Sequence, residues 1–220
     1  MIIQIAGVLS PAEADALREG LADPRLWGDG ADTAKGRARA VKRNEQARAS
    51  EPAVSAALAR IRSVVLAHPI VRAAAEPERI ARLMISRYGE GMEYGAHVDA
   101  PYIDETRTDV SFTLFLSDPD AYGGGALVID AAGSEDRVRL AKGGLVLYPS
   151  TYVHRVEPVA HGLRVAAVGW IKSRVRLTEH RAVLFDLAQA LADLDASGVP
   201  SATRERLANV RNNLLRLWGD

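Results

Sequence analysis

The sequence predicts a mainly β fold of the α+β class, with an antiparallel sandwich or jelly roll as its core. Between residues 80 and 171, apolar and polar side chains alternate with a period of two, as in half-buried strands. Short segments rich in Gly, Pro and Asp interrupt this alternation. No helical periodicity lies between the strands, so a parallel sheet would lack its crossover connections. Helical patterns occur only before and after this region, so helices should flank the β core.

Composition limits the classes of protein to which this chain can belong. Its 220 residues suffice for one sizeable domain, or for a domain with a small appendage. With 28 basic and 28 acidic residues, we expect no electrostatic nucleic-acid or membrane partner. The absence of cysteine excludes disulfides and thiolate metal sites. The apolar run at residues 2–9 is too short for a membrane span and follows no basic segment, so we expect a cytoplasmic protein.

Two helices are predicted before the strands. After a short strand within residues 2–9, the sequence Ser10-Pro11-Ala12-Glu13 has the pattern of a capping box, and its helix should run to about Leu21. A second helix should start near Pro52. Its apolar residues form one stripe that should pack on a core: Val54, Leu58, Ile61 and Val65.

Residues 26–50 are predicted to be a long loop, because they are rich in Gly, Arg, Ala and Lys and show little apolar periodicity. Such loops in small domains are usually functional or disordered. Its basic residues could contact an acidic substrate or simply be solvated: Lys35, Arg37, Arg39, Lys42 and Arg43. Asn44 and Gln46 are candidate hydrogen-bond partners for a substrate.

About eight short strands are predicted from the period-two pattern. They cover residues 80–88, 94–98, 109–116, 126–130, 137–140, 145–148, 152–157 and 163–171. Residues 123–125 and 158–162 are predicted to be turns.

The chain after residue 174 is predicted to form a helical hairpin. Thr178 should cap one helix, and Ser201 should cap a second helix after a turn over residues 195–200. The apolar residues of the pair are Val183, Leu184, Leu187, Leu191, Leu194, Leu207, Val210, Leu214 and Leu217. We therefore predict a domain of residues 1–174, with its jelly-roll core at about 80–172, and an extension of residues 175–220. The hairpin could pack on the core or form a contact between subunits.

The spacing of His97 and Asp99 indicates a metal site. Residues two apart on a strand point to the same face, with Cα atoms about 6–7 Å apart. An imidazole and a carboxylate so placed suit two neighbouring positions on one metal ion. His154 is the best candidate for a third ligand. Two histidines and a carboxylate on one face of a metal leave the other face open, as in a non-haem Fe(II) oxygenase.

Arg164 follows His154 by ten residues and shares a strand face with Ala166, Val168 and Trp170. If the strands of His154 and Arg164 form a hairpin, the guanidinium lies one strand away from the metal. An inward arginine is costly unless it is paired. A bound dicarboxylic 2-oxo acid would supply the partner, because one end would chelate the metal while its far carboxylate would meet Arg164.

These residues and several longer motifs resemble the bacterial PKHD-type hydroxylases, which are Fe(II)/2-oxoglutarate-dependent dioxygenases related to prolyl and lysyl hydroxylases. The His-x-Asp pair, the distant His154 and the later Arg164 carry the resemblance to the larger group. The narrower resemblance rests on RTDVSFTLFLSDP at residues 107–119, YGGGAL at 122–127, LYPS at 147–150 and HRV at 154–156.

The resemblance implies a double-stranded β-helix core that binds Fe(II) through His97, Asp99 and His154 and 2-oxoglutarate through Arg164. It implies hydroxylation of a C–H bond coupled to oxidative decarboxylation of 2-oxoglutarate to succinate and CO2, with O2 as cosubstrate and ascorbate as an accessory reductant. A tyrosine near the first ligand lines the cofactor pocket in the hydroxylase relatives, which makes Tyr88 a candidate here. Tyr94, Tyr148 and Tyr152 are weaker candidates.

Two other functions stay open at this point. A cupin-like metal oxygenase without an oxo-acid cosubstrate would leave Arg164 unexplained. A non-catalytic sensor would bind iron and 2-oxoglutarate and release no succinate. The substrate is also open, because a prolyl or lysyl peptide, a free amino acid and an iron-chelating small molecule all fit a fold that supports many functions.

Overall fold

The protein is described by a computed structural model that covers residues 1–33, 39–131, 133–196 and 200–220. Lys35 and Arg37 of the predicted basic loop lie outside the described residues, as do residue 132 and residues 197–199 of the turn predicted over residues 195–200. The helices of the described part are α1 (Pro11–Gly20), α2 (Pro52–Ala67), α3 (Pro69–Ala75), α4 (Thr178–Ala196) and α5 (Ser201–Trp218).

Sixteen strands are found in these residues. The first eight are β1 (Ile3–Ile5), β2 (Trp27–Asp29), β3 (Lys42–Arg43), β4 (Glu45–Ala47), β5 (Pro77–Tyr88), β6 (Glu93–His97), β7 (Tyr102–Ile103) and β8 (Thr106–Arg107). The other eight are β9 (Val110–Phe115), β10 (Tyr122–Gly124), β11 (Leu127–Asp130), β12 (Glu135–Val138), β13 (Leu145–Pro149), β14 (Val153–Val156), β15 (Val159–Gly162) and β16 (Arg164–Ser173).

The strands form two main antiparallel sheets that enclose a cavity. The major sheet has seven strands in the order β1-β13-β9-β16-β5-β4-β2, and the minor sheet has five in the order β12-β11-β14-β6-β3. Two-stranded ribbons, β10-β15 and β7-β8, complete the β structure of the described part. The predicted mainly β jelly roll with flanking helices is therefore confirmed, and all eight predicted core strands are present to within a few residues.

The prediction of a loop over residues 26–50 was wrong. Strands β2 and β4 extend the edge of the major sheet beside β5, while β3 pairs with β6 in the minor sheet. These strands have only two or three residues, so no alternation can develop in the sequence. Their pairing comes from the exposed edges of longer strands, which the local sequence does not encode.

Two predicted turns, at residues 123–125 and 158–162, are also wrong in part, because they contain the paired strands β10 and β15. Their glycines reflect a bulge and a close backbone approach. Gly124 has a φ of 66°, and a Cβ atom there would come within 2.2 Å of the Pro158 carbonyl oxygen. The predicted hairpin between the strands of His154 and Arg164 does not form either. β14 belongs to the minor sheet and β16 to the major sheet, so the two residues lie on different walls of the sandwich.

The N-terminal helix has the capping box that its sequence predicts. The Ser10 side chain accepts from the Glu13 backbone N–H, and the Glu13 carboxylate accepts from the Ser10 N–H at 2.9 Å. Helix α2 buries Val54, Ile61 and Val65 of the predicted stripe, while Leu58 is half-buried. The short helix α3 was not predicted, because its seven residues are too few to show periodicity.

The two C-terminal helices form the predicted hairpin and pack on the core. Arg211 of α5 makes an ion pair with Glu76, and Asp220 accepts a hydrogen bond from Arg107 at 2.7 Å. The predictions that Thr178 and Ser201 cap the two helices were wrong, because each is already the first helical residue and Pro200 takes the cap position of the second helix. Leu184 is buried, whereas Val183, Val210 and Leu217 are exposed.

No single helix of the described residues is long and apolar enough to cross a membrane. Helices α2 and α3 taken together have the length and composition of a membrane span, but the pair is bent by 73° at the break between them.

Helices α1 to α3 cover the outer face of the major sheet, and this contact contains the larger hydrophobic core. Ile61 and Val65 of α2 pack there with Ile85 of β5, and all three are fully buried. A second core lies between the sheets and includes Tyr88, Phe115 and Ile129. The outer core therefore stabilises the wall that carries Tyr88 and Arg164, while the inner face is left free to line a cavity.

Replacement of Ile61 by Ala should lower the free energy of unfolding by about 2–5 kcal/mol, because it opens a cavity in the fully buried helix–sheet contact. Chemical denaturation would measure the change. Ser63→Ala, at an exposed position of the same helix, should change it by less than about 0.5 kcal/mol. Equal effects of the two substitutions would contradict the assigned packing of α2.

Candidate metal centre and its cavity

The register of β6 against β14 brings two histidines together. His97 and His154 are direct cross-strand partners, and their ring centroids are 4.3 Å apart. Asp99 was predicted to lie on the same strand as His97, but β6 ends at His97 and Asp99 lies two residues beyond it. One ligand atom from each of these three side chains lies within 4.8 Å of the others.

Both imidazoles are oriented by the backbone. The Nδ1 atom of His97 is 2.8 Å from the Gly95 carbonyl oxygen, and that of His154 is 3.0 Å from the Tyr152 carbonyl oxygen. A carbonyl can only accept, so each Nδ1 carries the proton and each Nε2 keeps its lone pair. Such a contact from the second ring nitrogen is the usual way of fixing a metal-binding histidine.

The Asp99 carboxylate is held from the opposite sheet. Ser111 of β9 donates to its Oδ2 atom at 2.6 Å, and the Ser111 hydroxyl lies 2.8 Å from that of Ser150. The other oxygen, Oδ1, is 3.8 Å from the His154 Nε2 atom. Thr108 fixes the loop that follows, since its hydroxyl donates to the Ala100 carbonyl oxygen at 2.5 Å. The Oδ2 atom of Asp99 thus accepts the hydrogen bond from Ser111, and its Oδ1 atom faces His154.

Electrostatics keep this group ready to act as a set of Lewis bases. Burial and the neighbouring His154 lower the pKa of His97 to about 4, so the ring is neutral at neutral pH. Two imidazoles and a carboxylate are donors that suit Fe(II) in a facial arrangement. The chemistry of these donors therefore fits the iron that the sequence predicts.

Aromatic rings surround the three side chains. Tyr94 stacks on His97 with ring centroids 3.7 Å apart, and Tyr148 meets His154 edge-on at 5.1 Å. Burial raises the pKa of Tyr148 and of Tyr94, so both phenols stay protonated. Tyr152, a weaker candidate, does not line the cavity, and its contribution is the carbonyl that holds His154.

Arg164 lies on the opposite wall of the same cavity and is almost fully buried, with 1% of its surface exposed. Among the described residues, none of its three guanidinium nitrogens has a hydrogen-bond partner. Two aromatic rings flank the group, with Tyr88 at 5.2 Å and Phe115 at 5.5 Å from the guanidinium carbon. Tyr88 is the cross-strand partner of Arg164, and burial raises the pKa of its phenol. A buried cation without a partner fits a site for an anionic ligand.

The cavity between the sheets has a volume of about 280 Å³ and contains both His97 and Arg164 in its lining. It also contains side chains for which the sequence analysis assigned no role. Thr33, Ser111 and Trp170 belong to this group. The serine is a polar residue at an inward position of a mostly apolar strand, and that signal was present in the sequence.

The residues predicted to contact a substrate separate into two groups. Lys42, Asn44 and Gln46 line the cavity and are buried, whereas Arg39 and Arg43 are exposed. The other histidines are remote from the site. His161 is exposed on β15, and His180 stacks on Trp218 at 4.1 Å.

Comparisons with known proteins agree with this geometry. Residues 83–172 match the model of the 2OG-Fe(II) oxygenase superfamily. A PKHD-type hydroxylase of Parvibaculum lavamentivorans is 43% identical over 220 residues, which cover all of both chains. A PKHD-type hydroxylase of Maricaulis maris is 40% identical over 220 residues, again covering all of both chains.

Solved structures share the fold at low sequence identity. A Pseudomonas putida prolyl-4-hydroxylase superposes with a TM-score of 0.56 and 22% identity, covering 79% of this chain and 92% of that one. The non-heme alpha ketoglutarate dependent carbocyclase SnoK superposes with a TM-score of 0.57 and 14% identity, covering 79% and 80%. The chain therefore belongs to the PKHD-type hydroxylases of the 2OG-Fe(II) oxygenase superfamily, and it is a dioxygenase that depends on Fe(II), 2-oxoglutarate and O2.

Proposed function

We propose that His97, Asp99 and His154 bind Fe(II) on one face and that Arg164 binds the distal carboxylate of 2-oxoglutarate, so that the enzyme hydroxylates a substrate entering the same cavity. The observation that carries this proposal is the pairing of a His-Asp-His cluster with a buried, unpartnered guanidinium across one cavity. An oxo acid would satisfy both features at once, since a guanidinium binds a carboxylate through two parallel hydrogen bonds.

The side chains would have distinct roles. Bound Fe(II) would supply O2 activation coupled to decarboxylation of the oxo acid. Backbone carbonyls hold the two imidazoles, and Ser111 holds Asp99, so the donor set needs little rearrangement to bind metal. Tyr88 packs beside Arg164 and would line the cosubstrate site, while Tyr94 and Tyr148 shield the ligands from water.

The remaining parts of the functional assignment are also proposals. The substrate is a small molecule or a peptide, ascorbate acts as the accessory reductant, and the enzyme works in the cytoplasm without a nucleic-acid or membrane partner. The exposed Val183, Val210 and Leu217 of the C-terminal helices support a contact between copies of the chain. Light scattering during size-exclusion chromatography would measure the molar mass, and a monomer at all concentrations would contradict such a contact.

The function is tested by anaerobic loading with Fe(II), addition of 2-oxoglutarate and O2, and measurement of succinate against a metabolite and peptide library. We expect succinate release that His154→Ala abolishes. His161→Ala is the matched control, because it removes an exposed histidine outside the site. Oxygen uptake without 2-oxoglutarate would favour a cupin-like oxygenase. Binding of iron and 2-oxoglutarate without succinate in any condition would favour a sensor.

Ser111→Ala should weaken metal binding by about 10- to 100-fold, because Asp99 loses the hydrogen bond that orients it. Anaerobic titration with Fe(II) would measure the dissociation constant. Ser117→Ala removes a buried serine that contacts only the backbone of residues 163 and 165, and it should leave metal affinity unchanged. Identical metal affinity in wild type and Ser111→Ala would count against Asp99 as a ligand.

Arg164→Met should lower the affinity for 2-oxoglutarate without lowering the stability of the ligand-free protein. Without ligand the variant should be as stable as the wild type or more so, because a buried unpaired charge is replaced by an apolar side chain of similar length. Affinity for 2-oxoglutarate should fall by about 100-fold or more, since each hydrogen bond to a charged group contributes about 1.5–3 kcal/mol. Calorimetry would measure both quantities.

The control for that experiment is Arg87→Met. Arg87 precedes Tyr88 on β5, points to the other face and is paired with Glu45 at 2.8 Å. The Arg87→Met variant should therefore bind 2-oxoglutarate with the affinity of the wild type. A wild-type affinity for 2-oxoglutarate in Arg164→Met would refute the proposed role of Arg164.

A further inference from the structure

Lys42 is a buried cation on the wall of the cavity. Only 7% of its surface is exposed, and its ammonium lies 5.2 Å from the centroid of the Tyr94 ring. Because Tyr94 stacks on His97, Lys42 is one aromatic ring away from the proposed metal site. Its ammonium donates to the Thr33 hydroxyl at 2.9 Å. Within the described ranges, no carboxylate lies within ion-pair distance of it.

The charges that line the cavity do not pair with Lys42. The Asp29 carboxylate, which is not among them, acts on its ammonium electrostatically without forming an ion pair with it. Its charged lining residues, apart from histidine, are Lys42, Arg82, Asp99, Asp104 and Arg164. Arg82 and Asp104 pair with each other at 2.9 Å. Under the proposed function, Asp99 binds the metal and Arg164 binds the cosubstrate. Lys42 is then the remaining charge among the described lining residues. Burial of an ammonium that has no ion-pair partner is unfavourable.

Asn44 adds a second group with free hydrogen-bonding capacity. It is 4% exposed, and its side chain approaches the Tyr88 hydroxyl. Even so, neither its amide nitrogen nor its amide oxygen makes a hydrogen bond of good geometry to the part of the chain that the structure describes. Buried amides are normally hydrogen-bonded in folded proteins. Lys42 is the first residue of β3, which pairs with the minor sheet, and Asn44 lies between β3 and β4, which pairs with the major sheet.

We propose that the substrate of this enzyme carries a carboxylate group, which is bound by the Lys42 ammonium with the Asn44 amide as a second donor. This inference rests on the function proposed above and adds the chemical class of the substrate. A single ammonium next to a neutral amide donor matches a group with one negative charge, and a dianionic phosphate would keep an uncompensated charge in a buried place. Burial lowers the pKa of Lys42 to about 8, so the ammonium form still predominates at pH 7.

The test uses the protein loaded with Zn(II), which is redox-inactive, and saturated with 2-oxoglutarate so that Arg164 is occupied. The probes are matched pairs of acid and amide: acetate and acetamide, benzoate and benzamide, N-acetylglycine and N-acetylglycinamide. Ligand-detected NMR titrations measure their dissociation constants. The wild type should bind the acids about tenfold or more tightly than the amides, as expected for a hydrogen-bonded charge pair.

Variants assign that preference to Lys42. Lys42→Met should abolish the preference for acids, and Lys42→Arg should retain it because the charge is kept. Lys172→Met is the matched control, since Lys172 is paired with Glu78 at 2.6 Å and lies outside the cavity. Thermal unfolding shows whether each variant folds. If Lys42→Met fails to fold, the preference of the wild type and of Lys42→Arg still decides the outcome.

Three results with the acid and amide probes would overturn the inference. These are equal binding of acids and amides by the wild type, failure of every acid to bind at millimolar concentration, and an acid preference that survives in Lys42→Met. Loss of 2-oxoglutarate affinity in Lys42→Met would also overturn it, because Lys42 would then serve the cosubstrate. Binding of 2-oxoglutarate is measured in the same samples. Its absence in the wild type would contradict the proposed function, whereas normal binding without acid preference contradicts only this inference.

Discussion

The site depends on one cross-strand pair. His97 faces His154 because β6 and β14 pair in a single register, and a slip of one residue would turn one ring out of the cavity. The backbone carbonyls of Gly95, in β6, and of Tyr152, directly before β14, each lie two residues before the histidine whose ring they orient. The geometry of the donors is therefore a property of the minor sheet. Asp99 is the exception, because its position depends on Ser111 of the major sheet.

The major sheet has a different role, because it holds polar groups that have no hydrogen-bond partner among the described residues. Its outer face is packed against α1 to α3 by a large apolar core, and this packing offsets the cost of an inner face that buries the Arg164 guanidinium. Lys42 and Asn44 lie where the chain crosses between the sheets, and they add further polar groups that lack full hydrogen bonding. Stability and function are thus divided between the two faces of one sheet.

The sequence was sufficient for the core fold because long strands carry period-two alternation, as β5, β9 and β16 do. The sequence was insufficient where a short strand pairs with the edge of a longer strand that is distant in the chain. Strands β2 to β4 are too short to show a pattern, so a segment that closes the cavity was interpreted as a loop. The inward direction of Arg164 was predicted correctly but for a wrong reason. The alternation of β16 determines its face, whereas the sheet in which a strand pairs is decided by long-range contacts.

The structure brings His97, Asp99 and His154 together. The proximity of His97 and Asp99 could be predicted from the sequence because the two residues are only two positions apart near a strand end. The positioning groups were harder to find. Ser111 and Ser150 lie 39 residues apart in sequence, and their contact exists only through the pairing of β9 with β13.

The most direct test of the proposed site is a crystal structure of the protein grown anaerobically with Mn(II) and 2-oxoglutarate. The account predicts one metal ion about 2.0–2.2 Å from His97 Nε2, Asp99 Oδ1 and His154 Nε2, with the distal carboxylate of 2-oxoglutarate on the Arg164 guanidinium. A metal bound elsewhere, or an oxo acid that leaves Arg164 unpaired, would contradict it.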